Sequence, residues 1–520
     1  MILKYFEKRF FVLYLIPFII GILTVFSYQP FNLSILNFFV LPLFFYFIVY
    51  IKKKSRAKYR IKPYKKNLFI FGTAFGFGYY FSGLYWITNS LTFDESFKIL
   101  IPFGLILIPL FLSIFFSISI LIIGPYLKYN FTSIFLFSGT LALADFVRAK
   151  ILTGFPWNIW SYSFSWSTEI IQIINKIGFF AFNLIIITIF TLPVVVFFKL
   201  SLGKKFLSFF FLICILFSFY IFGNHSINKN KSSLNEVNEK FYVKVVSPNF
   251  DLEYGLDNNQ IKKRFNKLIK YSSPKSNKKT LFIWPEGVFS GYSFSEIQFL
   301  KDSFYNNFSE KHFIIFGVNI YDRKNNGYFN SLIVVNNNLE IIQEYKKQKL
   351  VPFGEFLPFE KTLRKLGLKK ITEGYGSFLK GSKQNNLIVE NMNILPLICY
   401  EIIFTKLSQQ SNKKTNLIVN ISEDGWFGKT IGPYQHFAKS IFRAIEQNTY
   451  LVRSANKGIS AIINNKGEIV KKLNSNEAGN IELEVPLIIS ENKNKNDLIF
   501  FILLITYILI FLILKKNDNK

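Results

Sequence analysis

The chain has 520 residues, half of them hydrophobic, with 64 Phe, 27 Tyr and a formal charge of +30. So apolar a composition lies outside the range of ordinary soluble domains and fits a membrane protein. The charge excess is mostly lysine, in a chain also crowded with Asn, Ile, Phe and Tyr, without zinc-ligand spacing or an aromatic–basic platform, so nucleic acid is set aside as a partner.

A membrane helix needs about 20 mostly apolar residues. Seven such stretches precede residue 224, at about 10–27, 32–51, 67–89, 98–124, 131–149, 171–199 and 206–223, and an eighth lies at about 497–515. The first lacks a small-x-small cleavage site and runs through "SYQPF" into a second span, so it reads as a retained helix rather than a signal peptide. The expected organisation is a seven-helix membrane domain over 1–224, an extramembrane domain over 225–495, and a last helix with a short tail over 496–520. Orientation follows from lysine and arginine in short loops. The loop 52–66, "KKKSRAKYRIKPYKK", holds nine basic residues and no acid, which predicts a cytoplasmic side. Lys4, Lys8 and Arg9, the connection Lys199–Lys205 and the tail Lys515–Lys520 fall on that side, and the acidic loop 89–97 falls opposite. Eight crossings then put both termini in the cytoplasm and the large domain outside it.

The segment 147–166, "VRAKILTGFPWNIWSYSFSW", has three Trp, and Asp145 and Arg148 sit near the helix end where it begins. Its tryptophans read either as interface anchors or as a substrate mouth at the membrane surface. A charge there is costly unless it is paired or wet.

The extramembrane domain alternates short apolar runs with turn residues. Strands are expected at 241–247, 280–286, 312–320, 331–336, 394–401 and 416–422, a helix at 435–447, and a hairpin over 461–473 around Asn465–Gly467. Three strand ends carry reactive residues: Glu286 after "LFIWP", Lys347 in "YKKQKLVPFGEFLPF" and Cys399 after "LPLI". A free cysteine often packs merely as a small hydrophobe. As a nucleophile it needs a base or a cation, because a thiol with a pKa of ~8.5 is mostly protonated at neutral pH. A carboxylate can take that proton and a lysine can hold the oxyanion, so the three form an acyl-transfer set if the fold joins them. Cys214 lies inside an apolar segment, and the pair of cysteines says little about redox compartment.

The strings "WPEG", "Y-x-K-x-x-LVPFGE", "LPLICYE", "NISEDGWFG", "IGPYQHF" and "RSANKGIS" resemble the nitrilase, or carbon–nitrogen hydrolase, superfamily. With the eight spans, "GFGYYFSGLYWI" (76–87) and "LTGFPW" (152–157), the chain is similar over nearly its full length to the apolipoprotein N-acyltransferases of the bacterial inner membrane, the membrane-bound branch of that superfamily. The resemblance implies an α/β nitrilase-like αββα sandwich facing the periplasm. It makes Glu286 the general base, Lys347 the transition-state stabiliser and Cys399 the nucleophile. The Tyr345-x-Lys-x-x-Leu350 register selects Lys347 over Lys346 and Lys349. Glu355 matches a second acid of the site. Tyr400 and Glu401 follow the nucleophile, Tyr400 offering a backbone N–H to the oxyanion and Glu401 reading as a structural acceptor. Tyr254 stands where the family has a Trp, and Glu423 where it has an Asn. Tyr254, Phe353, Phe356 and Trp426 are candidate substrate contacts, with the loop 353–359 as a lid that dips into lipid.

The resemblance further implies a phospholipid acyl donor, an acyl thioester on Cys399, and the free α-amine of a diacylglyceryl-modified apolipoprotein as acceptor. No cofactor and no metal are implied: His225, His312 and His436 show no ligand spacing and read as structural. Two other readings remain: a membrane-tethered amidase that sends water to the thioester, and a non-enzymatic transporter or scaffold with an inert insert.

Overall fold

The computed structural model describes residues 9–54, 64–365, 376–408, 415–489 and 496–517. Lys4, Lys8, most of the basic loop 52–66, the expected boundary at 495 and the end of the lysine tail lie outside the described residues. The chain divides into two compact units, one holding Met1–Thr88, Lys98–Ser226 and Lys495–Lys520, the other Asn89–Phe97 and Ile227–Asn494.

The first unit is helical. Among the described residues six helices are long and apolar enough to cross a membrane: Ser34–Lys54, Glu95–Ile123, Phe131–Lys150, Phe179–Phe197, Leu202–Asn235 and Asp497–Leu514. The other two expected spans are the shorter apolar helix Phe11–Ser27 and the helix Tyr64–Leu84, whose Gly and Tyr content makes it less apolar. Those glycines let helices approach: a Cβ on Gly72 would stand 2.8 Å from the Ser117 Cα, and one on Gly76 2.8 Å from the Ser113 Cα. Two expected bounds move. The span predicted from 171 begins at Phe179, after Gly178 at φ +86°, and the span predicted to end at 223 continues as helix to Asn235. The segment 147–166 is not a loop of interface anchors, for Trp157 and Trp160 are buried and Trp166 alone of its tryptophans is exposed. Arg148 is paired: its guanidinium meets Asp145 Oδ1 at 2.8 Å and donates to the carbonyl of Asn158 at 3.0 Å, while Asn183 Nδ2 donates to Asp145 Oδ2 at 3.0 Å. Every one of these groups is internally satisfied, as an apolar surround requires.

The second unit is built on two six-stranded sheets. Its strands are β1 (Lys240–Ser247), β2 (Thr280–Ile283), β3 (His312–Asp322), β4 (Gly327–Val335), β5 (Ile341–Lys346), β6 (Leu387–Val389), β7 (Met392–Ile398), β8 (Leu417–Glu423), β9 (Leu451–Asn456), β10 (Ser460–Ile463), β11 (Ile469–Leu473) and β12 (Gly479–Pro486). One sheet has the order β12-β1-β2-β3-β4-β5, the other β11-β10-β9-β8-β7-β6. In each the central three strands run parallel: β1, β2 and β3 in the first, β7, β8 and β9 in the second. Strands buried on both faces read as continuous Val/Ile/Leu runs, as "LIVNIS" and "LPLIC" do. Val243, Val245, Leu281, Ile283, Leu332 and Val334 of one sheet pack against Ile394, Leu417, Val419, Ile421, Val452 and Ile462 of the other. Outside the first sheet lies helix α1 (Asn258–Ser272), started by a capping box in which Asp257 accepts from Gln260 N and Gln260 returns the bond. Its Ile261, Phe265 and Leu268 share a second core with Trp284 and Phe316. Helix α2 (Gly432–Gln447) packs on the second sheet, through contacts with β9 and β10. The layers are therefore the αββα sandwich that the sequence suggests.

Candidate active site

Parallel strands that run the same way deliver their carboxyl ends to one place, where loops can gather functional groups. Glu286 lies three residues past β2, Lys347 directly follows β5, Cys399 directly follows β7, Glu423 closes β8 and Asn456 closes β9. The expectation that the strand runs through Glu401 is corrected. β7 stops at Ile398, and Cys399 opens a short 3₁₀ turn, Cys399–Ile403, with φ +48°. A left-handed conformation at a residue with a side chain costs on the order of 1–3 kcal/mol and persists only where its surroundings hold it.

The acid and lysine groups meet closely. Lys347 Nζ lies 3.3 Å from Glu286 Oε1 and 2.9 Å from Glu355 Oε1. Asn330, in β4, donates from Nδ2 to the same two oxygens, at 2.8 Å to Glu286 and 2.7 Å to Glu355. The remaining carboxylate oxygens accept from backbone: Glu423 N to Glu286 Oε2 at 3.1 Å, and Val351 N to Glu355 Oε2 at 2.8 Å. Burial alone would favour a neutral Lys347, but the charges of Glu286 and Glu355 outweigh it and hold the ammonium well above its ordinary pKa. Burial pushes the Cys399 thiol up, the Glu286 charge adds to that, and Lys347 opposes it. The resting sulfur is thus a thiol, which would have to lose its proton to act as a nucleophile.

Glu401 is fully buried and serves the scaffold. It accepts from Tyr345 Oη at 3.0 Å, Gln348 N at 2.7 Å, Lys349 N at 3.0 Å and Ile398 N at 2.9 Å. It thereby ties the residues after Lys347 to the residue before Cys399. Burial pushes its pKa up to about 7 against these donors. Tyr400 is buried with its ring edge-on to Phe404 at 5.0 Å. The segment 351–359 folds into a tight turn, with Glu355 N donating to the Val351 carbonyl at 2.9 Å and Phe353 N to the Phe356 carbonyl at 2.8 Å. This points Glu355 inward, leaves Phe356 half-buried, and exposes Phe353 and Phe359, the latter by 81%. Tyr254 and Trp426 are half-buried neighbours with ring centroids 6.3 Å apart.

Several residues of the site escape the sequence reading. Residues 89–97, read as an outer loop between spans, belong to this unit: Asn89 Nδ2 donates to the Trp426 carbonyl at 3.1 Å, and Phe93 meets the Trp426 ring edge-on at 5.3 Å. Asn330 carries no sequence signal, because it sits inside an apolar strand. Glu423, at the position where the sequence departs from the nitrilase pattern, accepts from Gly425 N and from Asn456 Nδ2, both at 2.8 Å. Burial, helped by the charges of Glu286 and Asp424, pushes its pKa up to about 8. Next to it Asp424 accepts from Ser422 Oγ at 2.6 Å and from Arg453 Nη2 at 2.8 Å, and lies 2.9 Å from His436 Nδ1. Buried as it is, Asp424 is held well below the usual carboxylate range by Arg453 and His436. His312 has a scaffold role, with Nδ1 accepting from Ser309 N at 3.1 Å and Nε2 lying 3.0 Å from the Lys275 carbonyl. Among the described residues no three His, Cys, Asp or Glu side chains cluster as a metal site.

Two family models match the chain: the apolipoprotein N-acyltransferase N-terminal domain over residues 20–192 and carbon-nitrogen hydrolase over residues 254–489. An apolipoprotein N-acyltransferase of Rickettsia typhi is 32% identical over 510 residues, covering 95% of this chain and 98% of the relative. One from Brucella melitensis is 29% identical over 488 residues, covering 91% of this chain and 89% of the relative. Among solved structures, a CN-hydrolase superfamily protein from Xanthomonas campestris is 15% identical with a TM-score of 0.35, covering 48% of this chain and 91% of that one.

Proposed function

We propose, since the chain belongs to the apolipoprotein N-acyltransferase family and N-acylates lipoproteins in a bacterial membrane, that Cys399 carries the acyl group between donor and acceptor. The observation that carries this is the buried Lys347 ammonium shared by Glu286 and Glu355, with the Cys399 thiol under the charges of both Glu286 and Lys347. In the first half-reaction Glu286 takes the thiol proton as the sulfur attacks the ester carbonyl of a phospholipid. The oxyanion that forms is held by Lys347 Nζ and the Tyr400 N–H. The ester C–O bond then breaks, and the lysophospholipid oxygen leaves with the proton from Glu286. In the second half-reaction the neutral α-amine of a diacylglyceryl-cysteine attacks the thioester carbonyl. Glu286 takes the amine proton, the C–S bond breaks, and that proton returns to Cys399. An α-amine with a pKa of ~7.7–8.0 is available as the free base near neutral pH.

Glu355 orients Lys347, and Glu401 fixes the distance between the lysine and cysteine segments. Tyr254, Phe353, Phe356 and Trp426 contact the lipid chains, with the turn 353–359 dipping its exposed Phe353 and Phe359 into the outer leaflet. Both termini lie in the cytoplasm and the catalytic unit faces the periplasm, as the lysine distribution favours. Both substrates stay in the bilayer, which avoids extracting acyl chains at ~0.8 kcal/mol per CH₂.

The test is to incubate the purified protein with acyl-labelled phospholipid and map the label. The expected result is label on the peptide holding Cys399, discharged as amide by a diacylglyceryl-cysteine peptide and absent in Cys399→Ala. Label on another residue, or transfer undiminished in Cys399→Ala, rules the proposal out.

A further inference from the structure

Beside the backbone of Cys399 lies a buried polar group that the reaction above leaves unused. His436 stands in the first turns of α2 with no exposed surface, its ring edge-on to Phe427 at 5.3 Å. Its Nε2 lies 3.3 Å from the backbone carbonyl oxygen of Cys399. A carbonyl oxygen only accepts, so Nε2 carries the hydrogen whether the ring is neutral or charged. Burial lowers the His436 pKa and the Asp424 charge opposes it. On the other ring nitrogen, Asp424 Oδ1 lies 2.9 Å from Nδ1 and Arg453 Nη2 lies 3.1 Å from it. Arg453 is set in turn by the sheet. Leu397, Asn420 and Arg453 are in register across β7, β8 and β9, and Arg453 Nη1 donates to Asn420 Oδ1 while Asn420 Nδ2 donates to the Leu397 carbonyl at 3.0 Å. The same Arg453 Nη2 meets Asp424 Oδ2, and Asp424 Oδ1 accepts from Ser422.

The chain of contacts therefore reaches Cys399 through His436 at its carbonyl. On the other side of the residue, Glu401 holds the Ile398 N–H at 2.9 Å. The peptide flanking a left-handed Cys399 is thus gripped from two directions by buried, oriented groups. An Asp–His pair beside a cysteine suggests a base for the thiol, but the imidazole Nε2 lies against the carbonyl of Cys399. We propose that His436 is a positioning residue, whose Nε2–H holds the Cys399 carbonyl and so fixes the left-handed backbone that aims the sulfur between Glu286 and Lys347. The inference rests on the preceding reading of Cys399 as the nucleophile.

Single-turnover labelling of Cys399 by phospholipid tests it, comparing wild type, His436→Phe and His436→Gln. His436→Phe keeps the volume and loses the donor; His436→Gln replaces the ring N–H by an amide N–H of similar reach. The expected outcome is acylation slowed on the order of 10²-fold in His436→Phe, the loss that a misplacement of about 1 Å brings. The phospholipid KM should stay within about twofold, and His436→Gln should recover most of the rate. A His436→Phe enzyme that acylates as fast as wild type overturns the proposal, as does a Gln variant no better than Phe. Labelling of wild-type Cys399 in the same experiment keeps the two readings apart, since its absence would sink the nucleophile assignment and not this one. A measurement on wild type guards against a variant that does not fold. The chain has 3 His, so ¹⁵N-histidine spectra can be assigned by replacing His225 and His312. An Nε2 of His436 without its proton refutes the proposal.

Discussion

Replacing Glu423 by Gln should stabilise the catalytic unit, and by an amount that grows with pH. Glu423 is buried at the end of β8, its side chain receives hydrogen bonds from the amides of Gly425 and Asn456, and Glu286 and Asp424 lie near enough for their charges to act on it. Arg264 feels its charge from α1 but shows no bond to it. The folded pKa of about 8 compares with ~4.3 for an exposed Glu in an unfolded chain. Between those values the folded state holds a proton that the unfolded chain releases. The fold therefore binds more protons, and stability falls as pH rises, by about 1.4 kcal/mol per pH unit. The whole interval gives a ceiling of about 5 kcal/mol, reached above pH 8. A third of that ceiling still moves the melting temperature of a domain this size by a few degrees. Gln keeps the acceptor for Gly425 but turns an amide toward the Asn456 amide, a cost on the order of 1 kcal/mol that does not change with pH. Glu401 titrates in the same range but is common to both proteins, so the difference between them isolates Glu423. The assay is thermal unfolding of the full chain in detergent, wild type against Glu423→Gln, from pH 5 to 9. The gap should open steadily up to about pH 8 and then stay constant. A gap independent of pH, or one that closes as pH rises, would mean that the buried carboxyl is already ionised in the fold, and the reasoning would fail.

Lys347→Met leaves two buried carboxylates without their cation, so it should destabilise by about 3–5 kcal/mol and abolish Cys399 acylation; adding Glu286→Gln should restore much of the melting temperature and none of the activity. Asn330→Leu removes the neutral donor common to Glu286 and Glu355. It should lower kcat for acyl transfer by ~10²-fold with little change in KM, and an unchanged kcat would show that Lys347 alone aligns the two acids. Glu401→Gln turns an amide toward N–H groups that need an acceptor, and should cost about 1–3 kcal/mol in unfolding measurements while slowing acylation. A variant of wild-type stability would contradict the role of Glu401 in tying the Lys347 and Cys399 segments together.

The sheets were legible where a buried strand is also mostly apolar in sequence. "FYVKVVS", "HFIIFGVNI", "SLIVVN" and "NLIVNIS" are continuous apolar runs, and each lies on a strand whose ends differ from the expectation by a few residues. The edge strands β5, β6 and β12 were not, because one exposed face interrupts the apolar pattern, as in "IIQEYK" and "GNIELEVP", and neither was the buried central β9, whose "LVRSAN" carries Arg453, Ser454 and Asn456 inside the sheet. In the helical unit, hydropathy found the segments but not their ends. Phe179 starts a helix because Gly178 turns the chain, and the helix from Leu202 runs on through polar residues to Asn235 because nothing in "GNHSINKNKSSLN" breaks it. Hydropathy measures what a helix touches, whereas its ends depend on caps and on the conformations of single residues.

The site divides along a similar physical line. Glu286, Lys347, Glu355 and Cys399 sit in turn-rich strings just past strands, and a reactive residue in such a place has no packing reason to be there. Asn330, Arg453 and His436 are as fully engaged in the site but occupy apolar strands or the buried face of an amphipathic helix. There a polar residue with one neighbour looks the same in sequence as one with another. What sets His436 apart from a core histidine is a carbonyl 37 residues away, and what sets Arg453 apart is that register brings Asn420 beside it. Groups that touch the reacting atoms must stand at the open ends of strands, where local sequence is distinctive. Groups that aim them act through buried backbone, where local sequence is the same as for packing. A residue of the second kind becomes visible only when the pairing of strands is known, so the reactive groups of the candidate site could be picked out from sequence and the groups packed behind them could not.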